Sequence, residues 1–408
     1  MILKKEENKT IELLMIYDTI IIGRGLIGTA AAKYLSRLKK RVALIGPDEA
    51  TTAREKIVFA SHYDATRIQG LVGKDAITTI LNQQSAHAFA QLENETGIQF
   101  RSEEGCLTVF PDNADFFIKE YETRAKNFDI PYRIAESGDW LKELTPEFTF
   151  PSSAKGFYEL APAGHINPRL LIQAQQIVFE KNGGEIFNET VKEIFFEKNL
   201  IKIICFSGQI FEAEKVLLAT GAFTNFFHLL KNKVQLKLKS ESTVWVKVEQ
   251  EEASKLQSLP ALLYKINQPG IQDIYLIQPV KYPDGNYYLK IGANISGDQF
   301  FSTSEEITNW FNYSGSLEVS GLLHALQVIL PQLSYSEYFE KRCIVCYTPH
   351  GKPFIGPIDE RGLFIAAGGN GYGAMSSDAL GNIAATMMGQ GRFPAGISAE
   401  AFVPVFEK

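Results

Sequence analysis

Short apolar runs flank one amphipathic segment near the start of the chain. Residues 20–22 are a β-branched run, too brief for a helix and typical of a buried parallel strand, and residues 42–45 are a second such run. Between them, residues 29–40 repeat apolar side chains on one helical face, among them Tyr34 and Leu35. The pattern predicts a strand–helix–strand unit at the start of an α/β domain.

Later apolar runs have the length and spacing of strands. Residues 191–223 contain three such runs separated by turns, and residues 363–366 form a run that a helix rich in small residues follows. Turn signals at NQPGIQD and KYPDGNY separate a further group of runs, which predicts an antiparallel sheet. The strands predicted for that sheet are residues 243–249, 273–279 and 286–294 and the segment near Glu340.

The composition is that of a globular protein, because 45% of the 408 residues are apolar and 22% are charged. A chain of this length supports a well-buried core divided between two domains. The formal charge of -6 and the pI near 5.7 argue against a nucleic-acid surface, which needs clustered basic residues. No apolar run approaches the ~20 residues that span a bilayer. Residues 1–14 are too charged for a secretory signal and are interpreted as a frayed extension.

The cysteines indicate a reducing environment, since four in so long a chain are too few for a disulfide scaffold. A cytoplasmic location is therefore expected. Cys343 and Cys346 form C-x-x-C, but no second pair lies at metal-binding spacing, so no metal site is predicted. The oligomeric state stays open between a monomer and a homo-oligomer.

A glycine motif follows the first predicted strand. Gly23, Gly25 and Gly28 form G-x-G-x-x-G between that strand and the helix, where the free amides around Leu26 and Ile27 favour a pyrophosphate. A glycine motif alone is weak evidence, but one enclosed by a strand–helix–strand pattern is specific. The motif predicts a dinucleotide cofactor.

The second strand lacks the acidic residue that normally holds a ribose hydroxyl at its end. Gly46 stands at that position. Asp48 or Glu49 is a candidate replacement, and backbone groups are the other alternative.

A second glycine cluster follows residues 363–366. Gly368, Gly369, Gly371 and Gly373 present no side chains that would exclude a flat ligand, and the helix after them presents its positive end. The cluster predicts a second contact with the cofactor.

These motifs together resemble a known family, the FAD-dependent amine and amino-acid oxidases related to D-amino acid oxidase. The likeness extends from Tyr17 to about Gly391 and is greatest to the branch of monomeric sarcosine oxidase and N-methyltryptophan oxidase. The segments that carry it are Ser61-His62 with Thr66-Arg67-Ile68, Ala219-Thr220-Gly221, Val191 and YTPHGKPFIGP at residues 347–357.

The resemblance implies FAD as the cofactor, with NAD the less favoured alternative, and an α/β fold that is α+β as a whole. A Rossmann-like FAD-binding domain of residues 1–90, 160–235 and 338–408 is expected to interleave with a substrate domain of residues 91–159 and 236–337 built on a mixed or antiparallel sheet. The cofactor residues implied by the motifs are Gly23, Gly25, Leu26, Ile27, Gly28, Ser61, His62, Thr66, Arg67, Val191, Thr220, Gly221, Cys343, Gly369, Asn370, Gly371, Tyr372 and Gly373.

Lys290 is the first catalytic candidate. Taken alone, a lysine on the wetter face of a sheet is usually solvated. However, Leu289-Lys290-Ile291-Gly292 matches the motif whose lysine lies over the flavin in that branch. A fixed ammonium lowers the cost of charge that develops during oxygen reduction, and Arg67 would add a second positive charge. Gly292 is expected to allow the strand to approach the flavin ring.

Cys343 is the second candidate, because it aligns with the cysteine that attaches flavin covalently in that branch. Thiolate is the reactive form, and the adjacent Lys341 and Arg342 would lower the pKa of the thiol if they face it. An ordinary small buried residue is the alternative interpretation.

The substrate clamp of that branch is missing from this chain. Gly70 replaces the arginine of the clamp, residues 371–374 contain no lysine, Asn294 replaces a histidine and Val345 an aromatic residue. Lys352 and His350 are weak candidate substitutes. The residues expected to line a pocket for an amine are Tyr288, Asn294, Tyr347 and Tyr372.

The sequence therefore predicts oxidation of an amine or N-methyl amino acid to an imine, with oxygen as the acceptor and peroxide as a product. Two alternatives stay open. One is a dehydrogenase of the same fold that passes electrons to another carrier, and the other is a flavin-binding subunit without turnover of its own.

Overall fold

The fold is described here from a computed structural model. The predictions for residues 1–14 lie outside the part of the chain that it describes. That part comprises residues 15–38, 40–49, 57–112, 114–266, 268–313 and 319–408.

Helices and strands largely alternate as far as β8, and runs of consecutive strands predominate in the rest of the described chain. The strands are β1 (Ile16–Ile22), β2 (Val42–Ile45), β3 (Arg67–Gln69), β4 (Cys106–Phe110), β5 (Tyr132–Ala135), β6 (Lys155–Glu159), β7 (Gly164–Ile166), β8 (Glu185–Phe187), β9 (Val191–Glu197), β10 (Leu200–Cys205), β11 (Ile210–Leu218), β12 (Lys237–Val248), β13 (Ala261–Tyr264), β14 (Ile271–Lys281), β15 (Tyr287–Ile295), β16 (Phe300–Phe301), β17 (Glu337–Tyr347), β18 (Phe354–Pro357) and β19 (Leu363–Ala367). The α-helices are α1 (Leu26–Ser36), α2 (Ala76–Thr96), α3 (Asp115–Asn127), α4 (Gly138–Leu144), α5 (Pro168–Lys181), α6 (Gln250–Leu256), α7 (Ser304–Asn312), α8 (Ser320–Ile329) and α9 (Ser377–Gln390).

The first sheet has a parallel centre. Its strand order is β18-β19-β11-β1-β2-β8, and β9 and β10 extend it from β11. β1 lies parallel to both β2 and β11, and Ile20 and Ile21 are completely buried between the layers. The predicted strand–helix–strand unit and the three strands of residues 191–223 are confirmed. The helix begins at Leu26, earlier than predicted, because Gly25 within the glycine motif is already its N-cap.

Helix α1 packs closely on the sheet and on α9. A Cβ at Gly28 would lie 1.9 Å from the carbonyl oxygen of Gly23, so only glycine permits the helix to approach the turn. On the other side of α1, Lys33 forms a buried ion pair with Asp378, and Tyr34 donates a hydrogen bond of 2.5 Å to the same carboxylate. These contacts fix the position of the helix whose N-terminus faces the site.

The second sheet is mixed and mostly antiparallel, in the order β16-β12-β15-β14-β13-β4-β6-β5, with β17 also paired to β12. All four strands predicted for it from sequence are present. Its residues alternate between two faces, as the period of a strand requires. Val244, Leu289 and Ile291 belong to an apolar core on one face, whereas Trp245 and Lys290 line a cavity on the other.

The position of β17 does not agree with the predicted domain boundary at residue 338. It runs beside β12 along its whole length, from the Glu337–Lys247 pair to the Tyr347–Lys237 pair. A boundary at residue 338 would separate this strand from its own sheet. We therefore propose to place that boundary after Tyr347, and to retain the other predicted segments.

None of the helices in the described ranges is long and apolar enough to cross a bilayer. All four cysteines carry free thiols, which agrees with the expectation that the chain has no disulfide scaffold.

Candidate functional site

A cavity of about 850 Å³ lies between the two sheets. On one side it is bounded by the carboxyl ends of β1, β2, β11 and β19, and on the other by the polar face of the second sheet. Crevices at the carboxyl ends of parallel strands are common ligand sites. The volume is within the range of cofactor and small-molecule pockets.

The first glycine motif forms one end of the cavity. Gly23, Gly25, Leu26 and Ile27 line it, and Gly25 caps α1 without any side-chain hydrogen bond, so the first amides of the helix stay available for a ligand. Gly28 does not line the cavity. In the structure Gly28 permits the close approach of α1 to Gly23, and its cofactor contact stays a prediction.

The Arg24 side chain packs against Gly46, the residue that stands in place of the missing acid. The Arg24 guanidinium donates to the Gly46 carbonyl oxygen at 3.0 Å and to Asp48 at 2.7 Å, and a Cβ at Gly46 would lie 2.8 Å from Arg24 Cγ. Glu49 lines the cavity but accepts two hydrogen bonds of 2.7 Å from Arg169, whereas Asp48 lies outside the lining. Both candidate acids therefore hold arginines.

Polar and small residues continue the lining past the helix. They include five of the predicted cofactor residues: Ser61, His62, Val191, Thr220 and Gly221. Burial, together with the charges of the neighbouring arginines, lowers the pKa of His62 to about 3, so its ring is neutral at pH 7.

The second glycine loop presents backbone to the cavity along residues 368–373. Asn370 has a positive φ of 53° and Gly371 one of 79°. The Asn370 side chain donates to the Gly368 carbonyl oxygen at 2.6 Å and accepts from the Thr348 amide at 3.0 Å, so it stabilises the loop itself. The prediction that this segment leaves room for a flat ligand agrees with this geometry.

A buried carboxylate, Asp64, organises the centre of the cavity wall. Its Oδ2 accepts a hydrogen bond of 2.5 Å from Lys290 Nζ and also pairs with Arg67. Its Oδ1 accepts from the Tyr282 hydroxyl at 2.8 Å and from the Ala65 amide at 2.7 Å. The Lys290 side chain is only 3% exposed, which contradicts the alternative of a solvated lysine.

The cluster changes the protonation of its members. Burial and the Arg67 charge lower the pKa of Lys290 to about 8, and Asp64 opposes part of that shift. The pKa of Asp64 is itself lowered, because the charges of Lys290 and Arg67 outweigh its burial. Lys290 is therefore mostly protonated at pH 7, and it loses its proton as the pH rises through about 8.

Thr66 contributes its backbone to this cluster. Its carbonyl oxygen accepts from Lys290 at 3.1 Å and from Arg67 at 2.7 Å, and the residue lies outside the cavity lining. Thr66 therefore orients the two cations, and its cofactor contact stays a prediction.

Gly292 has a different role from the predicted one. A Cβ at Gly292 would lie 2.4 Å from the Tyr275 hydroxyl oxygen and ring, so the glycine makes room for that tyrosine. Tyr275 lines the cavity, and Lys290 Nζ lies 5.6 Å from the centre of its ring. The strand approaches a protein side chain here, where the sequence predicted a flavin ring.

Cys343 lines the cavity, as expected, but its neighbouring cations differ from those predicted. Lys341 Nζ lies over the Trp245 ring at 4.9 Å, and the Arg342 guanidinium lies over Trp310 at 5.4 Å. Burial raises the pKa of the Cys343 thiol, and the charges that oppose this are those of Arg67 and Lys290.

The predicted substrate residues divide into two groups. Asn294, Tyr347 and Tyr372 line the cavity. Tyr288 does not, because its ring packs against Tyr282 and its hydroxyl donates to Asp284 at 2.7 Å. Tyr288 is on the predicted face of β15 but lies outside the cavity lining, so its contact with substrate stays a prediction.

The weak substitutes for a substrate clamp also lie outside the lining. Lys352 pairs with Asp75, and His350 Nε2 lies 3.1 Å from the Val403 carbonyl oxygen. Neither contacts the cavity. Within the described ranges, no group of three or more His, Cys, Asp or Glu side chains is arranged to hold a metal ion.

Sequence reasoning missed many cavity residues, and four of them have polar or aromatic side chains that matter for the site. Asp64 lies at an unspecified position of the Ser61–Ile68 motif, and Glu241, Trp245 and Tyr275 lie on strands whose partners are distant in sequence. The alternation Lys239, Glu241, Thr243, Trp245 along one strand face is the signal that could have indicated Glu241.

Comparison with known proteins agrees with this geometry. The family model described as FAD dependent oxidoreductase matches residues 18–387. N-methyl-L-tryptophan oxidase of Yersinia pestis strain Pestoides F is 27% identical over 213 residues, which are 51% of this chain and 54% of that protein. The match thus spans about half the length of this relative.

Solved structures match nearly the whole chain. NikD, an amino acid oxidase of nikkomycin biosynthesis, has a TM-score of 0.76 at 16% identity and covers 96% of this chain and 98% of its own. L-proline dehydrogenase from P. horikoshii has a TM-score of 0.73 at 18% identity, with coverage of 96% and 97%. At these identities the likeness shows the fold, and the predicted fold class and family resemblance are confirmed.

Asp64→Asn should lower the pKa of Lys290 below about 8, because the neighbour that raises it is lost while burial and Arg67 remain. The measurement is an NMR titration of isotope-labelled lysine side chains, with the Lys290 signal assigned by its absence in Lys290→Met. Asp284→Asn, which removes an acid near the far end of β15, is the control and should leave the value unchanged. A pKa that rises or stays constant in Asp64→Asn would contradict the assigned pairing.

Proposed function

Because the chain belongs to the family of FAD-dependent oxidoreductases, we propose that it oxidises the C–N bond of an amine to an imine, with oxygen as the electron acceptor. The observation that carries this proposal is the buried pair of cations, Lys290 and Arg67, held by Asp64 at the cavity wall. N-methyl-L-tryptophan oxidase, the relative at 27% identity, is named for the oxidation of a secondary amine.

The cavity has features that fit FAD. The uncapped N-terminus of α1 and the bare turn at Gly23 suit a pyrophosphate, and Val191 and Thr220 line the region beside it. The glycines of the loop at residues 368–373 expose backbone without side chains to a flat ring, next to Tyr372. When bound, FAD would accept a hydride equivalent from the carbon next to the amine nitrogen and later pass two electrons to oxygen, which yields hydrogen peroxide.

The contribution of the chain is orientation and charge. Lys290 and Arg67 are fixed before the reaction, because hydrogen bonds to Asp64 and to the Thr66 carbonyl oxygen hold both groups. Preorganised cations in a dry site stabilise developing negative charge without the cost of reorienting solvent. Tyr275, Asn294, Tyr347 and Tyr372 would shape the space for the amine.

One observation favours a dehydrogenase as the second candidate. Lys290 already forms an ion pair with Asp64, so part of its charge is compensated before any acceptor arrives. The remaining excess at the cluster is the single positive charge of two cations against one carboxylate. Transfer of electrons to a carrier other than oxygen would depend less on a positive charge at this cluster.

The first test of the function is anaerobic reduction of the purified holoenzyme by a panel of primary, secondary and N-methyl amines and amino acids. We expect bleaching of the oxidised flavin spectrum by at least one secondary amine. Oxygen uptake against dye reduction then separates oxidase from dehydrogenase. A flavin that no member reduces would contradict the proposal and favour a flavin-binding subunit.

Lys290→Met should slow the reaction of the reduced enzyme with oxygen by roughly 10²-fold while reduction by the amine changes much less, because the cation acts in the oxygen step. The rates are measured separately by stopped-flow absorbance. Lys247→Met is the matched control, since Lys247 lies on the neighbouring strand but pairs with Glu337 away from the cavity. Reoxidation at the parent rate in Lys290→Met would remove this role.

We also propose that Cys343 tethers the cofactor, because its thiol lines the cavity within the field of Arg67 and Lys290. The tether would be a thioether from Sγ to a methyl carbon of the flavin ring. The thiol proton and one methyl hydrogen are lost, and the two electrons left behind pass to oxygen.

Acid precipitation tests the tether directly. Flavin should stay with the precipitated parent protein and with Cys346→Ser, and Cys343→Ser should release it completely to the supernatant. Cys346 is the matched control because it lies on the same strand and lines the same cavity. Release of flavin from the parent would remove the covalent proposal and leave the binding of FAD intact.

A further inference from the structure

The substrate end of the cavity is formed by one row of polar residues across four strands. Glu241 on β12 is the direct partner of Cys343 on β17. On its other side, the Ser242–Ala293 pairing makes Asn294 on β15 the neighbour of Glu241, and Asn294 in turn pairs with Asp273 on β14. All four side chains line the cavity, so the row leads from the proposed flavin tether toward the substrate space.

Lys239 holds this row from behind the lining. Its Nζ donates to Glu241 Oε2 at 3.0 Å, to Asn294 Oδ1 at 2.8 Å and to Asp298 Oδ2 at 2.6 Å. An ammonium group has three donors, and these bonds use all of them. Lys239 therefore has no donor left for a substrate carboxylate.

The next cation along the row, Lys265, lines the cavity itself and pairs with one carboxylate. Lys265 Nζ donates to Asp273 Oδ2 at 2.8 Å, and Asp273 Oδ1 accepts from the Asn294 amide at 2.5 Å. The network as a whole contains two ammonium groups, Lys239 and Lys265, against the three carboxylates Glu241, Asp273 and Asp298. Its formal balance is one negative charge.

Glu241 is the carboxylate of this network that lies beside the proposed cofactor position. It is 6% exposed and lines the cavity. Within the described residues, its side chain accepts a hydrogen bond from Lys239 at Oε2, and Oε1 stays available for a ligand. Burial raises the pKa of Glu241 against the opposing charge of Lys239. The charged form of a buried carboxylate is stabilised by a cationic partner more strongly than that of an exposed one.

We propose that Glu241 binds the positively charged nitrogen of the substrate, and that the substrate is an amine without a carboxylate on the carbon next to that nitrogen. This inference rests on the proposed amine oxidation and names the substrate class for it. An α-carboxylate placed beside this nitrogen would lie against Glu241 and Asp273, where like charges repel. The missing clamp at Gly70 and in residues 371–374 is consistent with the same chemistry.

Binding of three unreactive probes to the holoenzyme tests the charge preference by calorimetry. The probes are choline, its uncharged isostere with a tert-butyl group in place of trimethylammonium, and glycine betaine, which adds a carboxylate. We expect choline to bind about tenfold or more tightly than either of the others. Glycine betaine as the tightest ligand, or no binding of choline, would overturn the proposal.

Glu241→Gln then assigns the preference to a residue. The amide keeps an acceptor for Lys239 but removes the charge, so the advantage of choline over its isostere should disappear. Glu337→Gln removes an acid from the same sheet outside the cavity and should retain that advantage. An unchanged preference for choline in Glu241→Gln would show that another group binds the cation and would overturn the assignment.

The outcomes separate this inference from the proposed function. If amines fail to reduce the flavin while the choline preference depends on Glu241, the function fails and the cation site stands. If amines do reduce it but N-methyl amino acids bind better than the matching amines without carboxylates, the function stands and the substrate class is wrong.

Discussion

The site depends on one buried carboxylate. Asp64 joins two cations that come from different parts of the chain, Arg67 at the start of β3 and Lys290 in the middle of β15. Without this carboxylate the buried Lys290 would lose its proton more readily, because desolvation of an isolated ammonium costs several kcal/mol, whereas the Arg67 guanidinium would stay charged but unpaired. The Tyr282 hydroxyl and the Ala65 amide complete the hydrogen bonding of Asp64. The cavity wall is therefore a single ionic unit that ties the segment before β3 to the second sheet.

The ionic unit also divides the cavity by charge. The two cations at the Asp64 cluster leave an excess of positive charge near the expected flavin, whereas the network at Glu241 and Asp298 carries an excess of negative charge. Cys343 lies between them, since the charges of Arg67, Glu241 and Lys290 all affect its pKa. An amine that loses a hydride develops positive charge, and the acceptor of that hydride develops negative charge, so each end has the sign that its partner requires.

Local patterns in the sequence were sufficient for most of the fold. The strand–helix–strand unit and the glycine motif are predictable because their period and their backbone requirements lie within about twenty residues. Four strands of the second sheet, β12, β14, β15 and β17, followed from alternation and turn signals in the same way, whereas its other strands were not predicted. The role of Asp64 was not predictable, because its partner Lys290 lies 226 residues away in sequence. Alternation along β12 could indicate the face of Glu241, but no local pattern specifies the strand register that pairs it with Cys343.

The differences between the expected and the observed surroundings of three residues also arise from contacts that the local sequence does not specify. Tyr288 and Lys290 share a face of β15, as alternation requires, but residues two apart on a strand are separated by about 7 Å, and the cavity ends between them. Gly28 and Gly292 were expected beside the cofactor, and both instead make room for the protein itself, at Gly23 and Tyr275. Sequence identifies which residues are small or charged, whereas the packing decides which surface they meet.

The direct pairing of Glu241 with Cys343 gives the site its rigidity. Cross-strand partners in an antiparallel pair have Cα atoms about 4.5–5.5 Å apart, and ladder hydrogen bonds on both sides fix that distance. A cofactor held at one member of the pair and an amine held at the other would therefore be positioned by the sheet, without a mobile loop between them. Substrate orientation of this kind is a major part of catalysis when the cofactor supplies the chemistry, because a small displacement of the reacting carbon costs much of the rate.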